Sequence, residues 1–265
     1  MKIIPSRRLA SSLAGVFFCC LLVSFTNNSE RAPYRIKTIV IDAGHGSDIR
    51  GARGAHSREE VITLKVALQL GKAIEDNMKD VKVIFTRTSE LSVPLFKRID
   101  IANRAKADLF ISIHCNSIVN NRSTTRGVET MVAGTARLGE QDVALRENAD
   151  ILLEKDYKKN YKQPVMDPED QIVFNMMKQN LRLQSIRLAT LIQEEYIKTG
   201  RIDRGVKEQP LAVLQPAAMP AVLTEIGFIS NPEEEDYISS DAGQAEIVTC
   251  IMNAVQAYKK QVELQ

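Results

Sequence analysis

The sequence predicts an α/β protein. Short, β-branched apolar runs bounded by turn residues alternate with longer segments of helical periodicity, and two of the runs end alike, each delivering a histidine. At 265 residues, 44 % hydrophobic and 26 % charged, the chain is long enough to bury one good core and to carry an insertion. The formal net charge is +2 and the charges are interleaved, which makes no case for a nucleic-acid partner.

The first residues differ in kind. Lys2, Arg7 and Arg8 precede the uncharged apolar run Leu9 to Phe25, and polar Asn27, Asn28 and Ser29 follow. That is the layout of a secretory signal, at the short limit for a membrane span. The expectation is a signal peptide over 1–26, with an uncleaved anchor as the alternative, and export to the periplasm. Cys19-Cys20 lacks the small residues that precede a lipoprotein cysteine. Beyond them stand Cys115 and Cys250, too few for a disulfide framework, and two unpaired buried thiols are the expected state. No second apolar run of membrane-spanning length follows, so the body is expected to be soluble.

After a linker over 27–35, the main body is expected over 36–262. Thr38 to Ile41 reads as a buried strand feeding Asp42-Ala43-Gly44-His45-Gly46, where the glycines let something bulky approach the imidazole. Gly51 to Gly54 leads to Ser57-Arg58-Glu59-Glu60, and Val61, Leu64, Leu68, Gly71 and Ile74 mark a helix. Ser57 reads as its N-cap and Glu60 as the capping-box partner, which leaves Glu59 without a structural task at the positive end of the helix dipole. Val81 to Thr86 is a second strand, and Pro94 opens a helix with Leu95, Ile99, Ala102 and Ala105 at helical spacing. Asp108 to His114 is a third strand. Ligands gather at the carboxyl ends of strands in α/β sheets, so His45 and His114 are expected to converge.

A polar loop and a strand from Gly127 to Val132 follow. From about 135 to 180 the chain is charge-rich without a strand signal, and reads as a helical insertion: Leu138 to Lys158 is helical, and Asp167-Pro168 opens a long helix. Its continuation, Leu181 to Thr199, returns to the body and ends at Gly200. Val222 to Thr224 is the last strand. Glu225 ends it in an apolar setting, where a buried carboxylate costs several kcal/mol unless paired or working. Asn231-Pro232 caps a helix, and Ala245 to Lys259 forms the closing one.

His45, Glu59, His114 and Glu225 are left without a comfortable structural task, all at strand ends or a helix start. Two imidazoles and one carboxylate are a ligand set typical of catalytic zinc, the fourth position being left to water. Such an ion lowers the pKa of its water towards about 7 and polarises a carbonyl. Glu225 then serves as general base and acid. Asp42 reads either as an orienting partner of an imidazole or as a turn cap. Glu129 is an alternative acid behind Glu225, Arg87 and Arg204 are candidates for binding a substrate carboxylate or ordinary surface arginines, and His56 reads as a surface residue. The chemistry by itself points to a zinc hydrolase.

Val40 to Gly46, Glu59, Ala107 to Asn116, Gly127-Val128-Glu129-Thr130, Asp203 to Lys207 and Leu223 to Asn231 together closely resemble the zinc-dependent N-acetylmuramoyl-L-alanine amidases of the amidase 3 family. The match runs in order from about Ile36 to Tyr258. The resemblance implies a single mixed, mostly parallel sheet with helices on both faces. It also implies cleavage of the amide between the lactyl group of N-acetylmuramic acid and L-alanine of the peptidoglycan stem peptide. It matches the zinc ligands to His45, Glu59 and His114, and the catalytic glutamate to Glu225.

Two departures stand out. Glu60-Val61 replaces the usual Lys-Asp, so that Glu60 competes with Glu59 if the helix begins one residue later. The insertion exceeds the shortest members, and similar insertions in some cell-division amidases cover the active site until a partner removes it. Residues from about 137 to 180 are therefore expected to inhibit, with an acidic side chain such as Glu169 approaching the metal and an activator protein acting on the insertion. A flap that only shapes the substrate groove is the alternative. The chain is expected to be monomeric and without a separate wall-binding domain. The competing functions are a zinc carboxypeptidase or exopeptidase, and a catalytically silent envelope-binding module.

Overall fold

In the computed structural model of the chain, which describes residues 34–135, 141–154, 156–161 and 167–264, the apolar runs become strands. The expected signal peptide and most of the linker lie outside the described residues. The strands are β1 (Thr38–Ala43), β2 (Lys82–Phe85), β3 (Leu109–Asn116), β4 (Val128–Ala133), β5 (Asp203–Gln209) and β6 (Ala221–Phe228). They form one sheet in the order β2-β1-β3-β6-β4-β5. All neighbouring pairs are parallel except β4 with β6, so the sheet is mixed and mostly parallel, as expected.

The helices are α1 (Glu59–Asn77), α2 (Leu95–Arg104), α3 (Asp142–Asn148), α4 (Tyr157–Asn160), α5 (Pro168–Lys198), α6 (Pro232–Ser239) and α7 (Asp241–Glu263). Side chains alternate across the sheet and divide the core in two. Ile39, Ile41, Ile111, Ile113 and Val222 pack against α1, the C-terminal half of α5, and α7. Val40, Phe110, Met131 and Leu223 face a thinner layer made by α2, Ala144 and the segment from Leu211 to Met219. Cys115 and Cys250 are buried thiols of the first layer. Among the described residues no helix is long and apolar enough to cross a membrane.

The insertion differs from the continuous Leu138 to Lys158 helix that the sequence suggests. It breaks into α3, a 3-10 turn over Ala149–Leu153 and the single turn α4. The cause is lateral anchoring. Asn148 donates to Pro210 O and accepts from Ala212 N, both at 2.8 Å, and Glu154 turns away from the helix line to accept from Leu95 N at the start of α2. Asp167-Pro168 does open a helix, and α5 runs from there as one piece of 31 residues.

A buried ion pair fixes the end of β1. The fully buried Asp42 carboxylate accepts from Thr86 Oγ1 at 2.6 Å, Ser112 Oγ at 2.6 Å and Arg98 Nη1 at 2.8 Å. Burial by itself raises the Asp42 pKa, but Arg98 and the two hydroxyls outweigh it and hold the carboxyl below its ordinary range. Replacing Asp42 with Asn leaves Arg98 buried without its counterion, which costs about 3–5 kcal/mol. Urea unfolding at neutral pH is expected to show that loss. Because the folded-state pKa is lowered, the stability Asp42 contributes is present above its unfolded pKa of about 4 and disappears as the pH falls below that value. The gap between D42N and the wild type is therefore expected to close in acid.

Candidate metal centre

The loop after β1 is held by its carbonyl groups. Arg98 donates to Ala43 O at 2.5 Å and to His45 O at 2.6 Å, while Arg87 reaches Ala43 O, Gly44 O and Glu60 O at 2.7 to 2.9 Å. Arg87 is thus a buried brace of this turn, not a substrate-binding arginine. Asp42 acts through Arg98 and touches neither imidazole. The turn places His45 in the left-handed region, at φ 57°. Gly44 is required for a close approach: a Cβ there would lie 2.6 Å from the His114 ring. The bulky group admitted by the glycine is the second imidazole, whose ring centroid lies 4.8 Å from that of His45.

His114 sits near the end of β3, in register with Glu225 on β6, so both side chains leave the same face at the carboxyl edge. Glu59 is the first residue of α1, one later than the expected start, yet it is Glu59 and not Glu60 that enters the cluster. The expected capping box is absent. Ser57 Oγ donates instead to Glu235 on α6, which also collects the N–H groups of Ala55, His56 and Ser57. Glu59 is oriented from both sides, Oε2 accepting from Ala52 N at 2.7 Å and Oε1 from Cys115 N at 2.8 Å. Glu60 stays buried on the helix, with Arg58 Nε at 3.5 Å. His56 is exposed, as expected.

A fourth group completes the cluster. Glu147 of α3 points between the imidazoles, Oε2 lying 3.2 Å from His45 Nε2 and 2.9 Å from His114 Nδ1. Glu59 Oε1 lies 3.4 and 3.2 Å from the same two nitrogens. A tetrahedral zinc with bonds of about 2.0–2.2 Å needs donors about 3.3 Å apart. His45 Nε2, His114 Nδ1 and Glu147 Oε2 are buried and have no hydrogen-bond partner outside the cluster, the condition of atoms placed around a cation. The donor set His45, Glu59, His114 and Glu147 therefore fits zinc. Glu169, the acid expected from the insertion, is exposed on the first turn of α5 and takes no part. Glu147 was missed because nothing in its charge separates it from its neighbours. The available signal was spacing: Ala144, Glu147 and Ile151 share one face, and Ala144 is apolar and buried.

The residues beside Glu147 engage the same site. Arg146 Nη2 donates to Glu225 Oε1 at 3.1 Å, and its Nη1 to Asn116 Oδ1 at 3.0 Å and Ser117 O at 2.8 Å. Asp150 accepts from His45 Nδ1 at 3.0 Å. Without a metal, burial depresses both imidazoles, but the carboxylates reverse this: His45 is raised well above its ordinary range and His114 to about 10. The imidazoles in turn hold Glu59 and Glu147 below the carboxylate range against burial. Glu225 is pushed the other way. Burial, helped by the negative Glu147, raises it to about 8 although Arg146 opposes the shift. Glu129, the alternative acid, is committed elsewhere, accepting from Asn116 Nδ2 at 2.5 Å, Lys207 Nζ at 2.6 Å and Arg204 Nε at 3.3 Å.

Residues 39–257 match the profile of the Amidase_3 family, described as N-acetylmuramoyl-L-alanine amidase. Over 242 residues the chain is 28 % identical to the N-acetylmuramoyl-L-alanine amidase AmiA of Salmonella typhimurium, covering 88 % of this chain and 81 % of the relative. It is also 28 % identical over 223 residues to AmiC of Escherichia coli O6:H1, covering 83 % of this chain and about half, 52 %, of that relative's length. The crystal structure of an N-acetylmuramoyl-L-alanine amidase from Clostridium difficile 630 superimposes with a TM-score of 0.63 at 25 % identity, covering 85 % of this chain and 97 % of that one.

The close packing behind the cluster yields a test. A Cβ on Gly51 would lie 2.4 Å from Glu59 Oε2 and 2.5 Å from the His45 ring. G51A is expected to displace both groups and weaken zinc binding by about 10–100-fold, the scale seen when groups that orient ligands are lost. Competition against a chromophoric chelator measures the affinity, and circular dichroism checks that the fold persists.

Proposed function

Since this chain belongs to the N-acetylmuramoyl-L-alanine amidase family of peptidoglycan hydrolases, we propose that it cleaves the amide joining N-acetylmuramic acid to L-alanine of the stem peptide, with His45, Glu59 and His114 holding zinc and Glu225 as general base and then acid. The observation that carries this reading is the buried convergence of His45 Nε2, His114 Nδ1 and Glu59 Oε1 at one edge of the sheet, with Glu225 in register beside His114. Zinc bound there supplies a water of lowered pKa and polarises the scissile carbonyl. Glu225 takes the proton of the attacking water at Oε2 and passes it to the leaving L-alanine nitrogen.

The described arrangement is a closed one. Catalytic zinc sites keep a position for water, and Glu147 would take that position on an ion held by His45, Glu59 and His114. Arg146 at the same time neutralises Glu225 and covers Asn116 Oδ1 and Ser117 O. Those two acceptors are where N–H groups of the stem peptide would dock once Arg146 withdraws. The Asn116 amide is already turned the right way, because its Nδ2 donates to Glu129. On this reading segment 142–154 acts as an inhibitory plug, through Arg146 and Glu147. An activator protein gripping the exposed apolar side chains Leu152, Leu153, Val173, Met176 and Met177 would draw it out. The charged-then-apolar layout of the first residues supports export to the periplasm, where the substrate lies.

Digestion of purified peptidoglycan followed by mass spectrometry tests the reaction. Stem peptides with a free L-alanine amine and intact glycan strands are the expected products, and shortened peptides still attached to glycan would indicate a carboxypeptidase instead. E225Q is expected to retain zinc and lose at least about 100-fold in rate. E147Q is expected to raise the rate about tenfold, corresponding to a closed state favoured by about 1.4 kcal/mol. A slower E147Q that still binds zinc would refute the plug.

A further inference from the structure

We propose that the insertion is also a metal clamp: Asp150 positions the His45 ring for zinc, so that closure of segment 142–154 and zinc binding strengthen each other. This rests on the zinc reading given above. It concerns a residue that is neither a metal donor nor in contact with the base.

The geometry of His45 carries the inference. Its backbone is braced at the carbonyl by Arg98, but that bond leaves the ring free to turn about its side-chain torsions. The ring is set by what its two nitrogens meet. Nε2 faces Glu59 and Glu147 in the cluster, and Nδ1 meets Asp150 Oδ2 at 3.0 Å. A carboxylate on Nδ1 keeps the proton there and turns the Nε2 lone pair to the metal position, the relation by which outer partners orient metal-bound imidazoles. Both side chains are buried, at 4 % and 13 % exposure, so water competes little for the bond.

The other donors do not depend on the insertion in this way. Glu59 is fixed by Ala52 N and Cys115 N, both from the main body. His114 is carried by β3 and packed against Gly44. Asp150, in contrast, lies in the 3-10 turn that continues α3, three residues beyond Glu147. Withdrawal of the plug therefore removes one donor, Glu147, and at the same stroke the partner that orients a second, His45. Coupling between two binding events is reciprocal. If closure tightens zinc by some factor, zinc favours closure by the same factor, and the open, working form is the one that loses its metal more readily.

Zinc affinity of the full chain, measured by chelator competition, tests the proposal. D150A is expected to bind zinc about 10–100-fold more weakly than the wild type. D150N, whose amide oxygen still accepts from Nδ1–H, is expected to recover most of that loss. In the zinc-loaded chain, proton NMR is expected to show a hydrogen-bonded Nδ1–H of His45 that D150A removes and D150N keeps, a signature that mere loosening of the fold does not produce. Should D150A fail to fold, hydrogen exchange of the wild type decides: zinc is expected to slow exchange across 142–154 relative to the stripped chain. D150A zinc affinity within twofold of the wild type, or exchange across 142–154 indifferent to zinc, overturns the clamp and leaves the amidase reading standing. A wild-type chain that binds no zinc, or an H114A variant that binds it unchanged, overturns the amidase reading itself.

Discussion

The structure depends on the burial of Asp42 with Arg98. A carboxylate at the end of a central strand holds a guanidinium whose other N–H groups take the carbonyls of Ala43, His45 and Val93. The carbonyls of Ala43 and His45 belong to the turn that leaves β1, and that of Val93 to the approach to α2. Buried carbonyls without partners are costly, and here arginine replaces the missing strand. With Arg87 working from the side of α1, two cations converge on one turn and force His45 into a backbone conformation that a non-glycine residue rarely adopts. The position of the first imidazole is thus an electrostatic consequence of an aspartate that never touches it.

The cluster beyond that turn is a problem of like charges. Glu59, Glu147, Asp150 and Glu225 bring four carboxylates around two imidazoles; without the ion they favour the protonated form of both rings, and Arg146 lies against Glu225. His45 and His114 would give up those protons to hold a dication, since ligands must be deprotonated to bind. On the proposed reading the insertion is therefore more than a steric cover. It brings one cation and two anions, each placed against a group of opposite character in the body.

Much of this was legible in the sequence because it obeys local rules. The apolar runs gave the strands, and the residues at their ends, His45, His114 and Glu225, lacked any structural task, which is why they could be gathered without coordinates. Glu59 was separable from Glu60 on its place at the helix start, although the capping box invoked for Glu60 proved absent: Glu235, far away in sequence, claims Ser57. What could not be read was long-range. The task of Asp42 depends on Arg98 and that of Arg87 on carbonyls more than forty residues distant. Glu147 and Asp150 belong to a charged segment whose residues look alike until packing selects two of them, and Glu169 was the wrong choice for that reason. The division of the insertion into short turns likewise follows from Asn148 and Glu154, whose partners lie in other elements.

Segment 142–154 lies in the connection between β4 and β5, two parallel neighbours that α5 joins. It interrupts no strand, and the ladder closes without it. Changes in its length therefore leave the register of the sheet, and with it the strand positions of His114 and Glu225, intact, while the ring of His45 still answers to the segment through Asp150. On the proposed reading, restraint is written in a connection and the strands carry His114 and Glu225, so the strength of restraint can drift under selection while the register of those two residues holds.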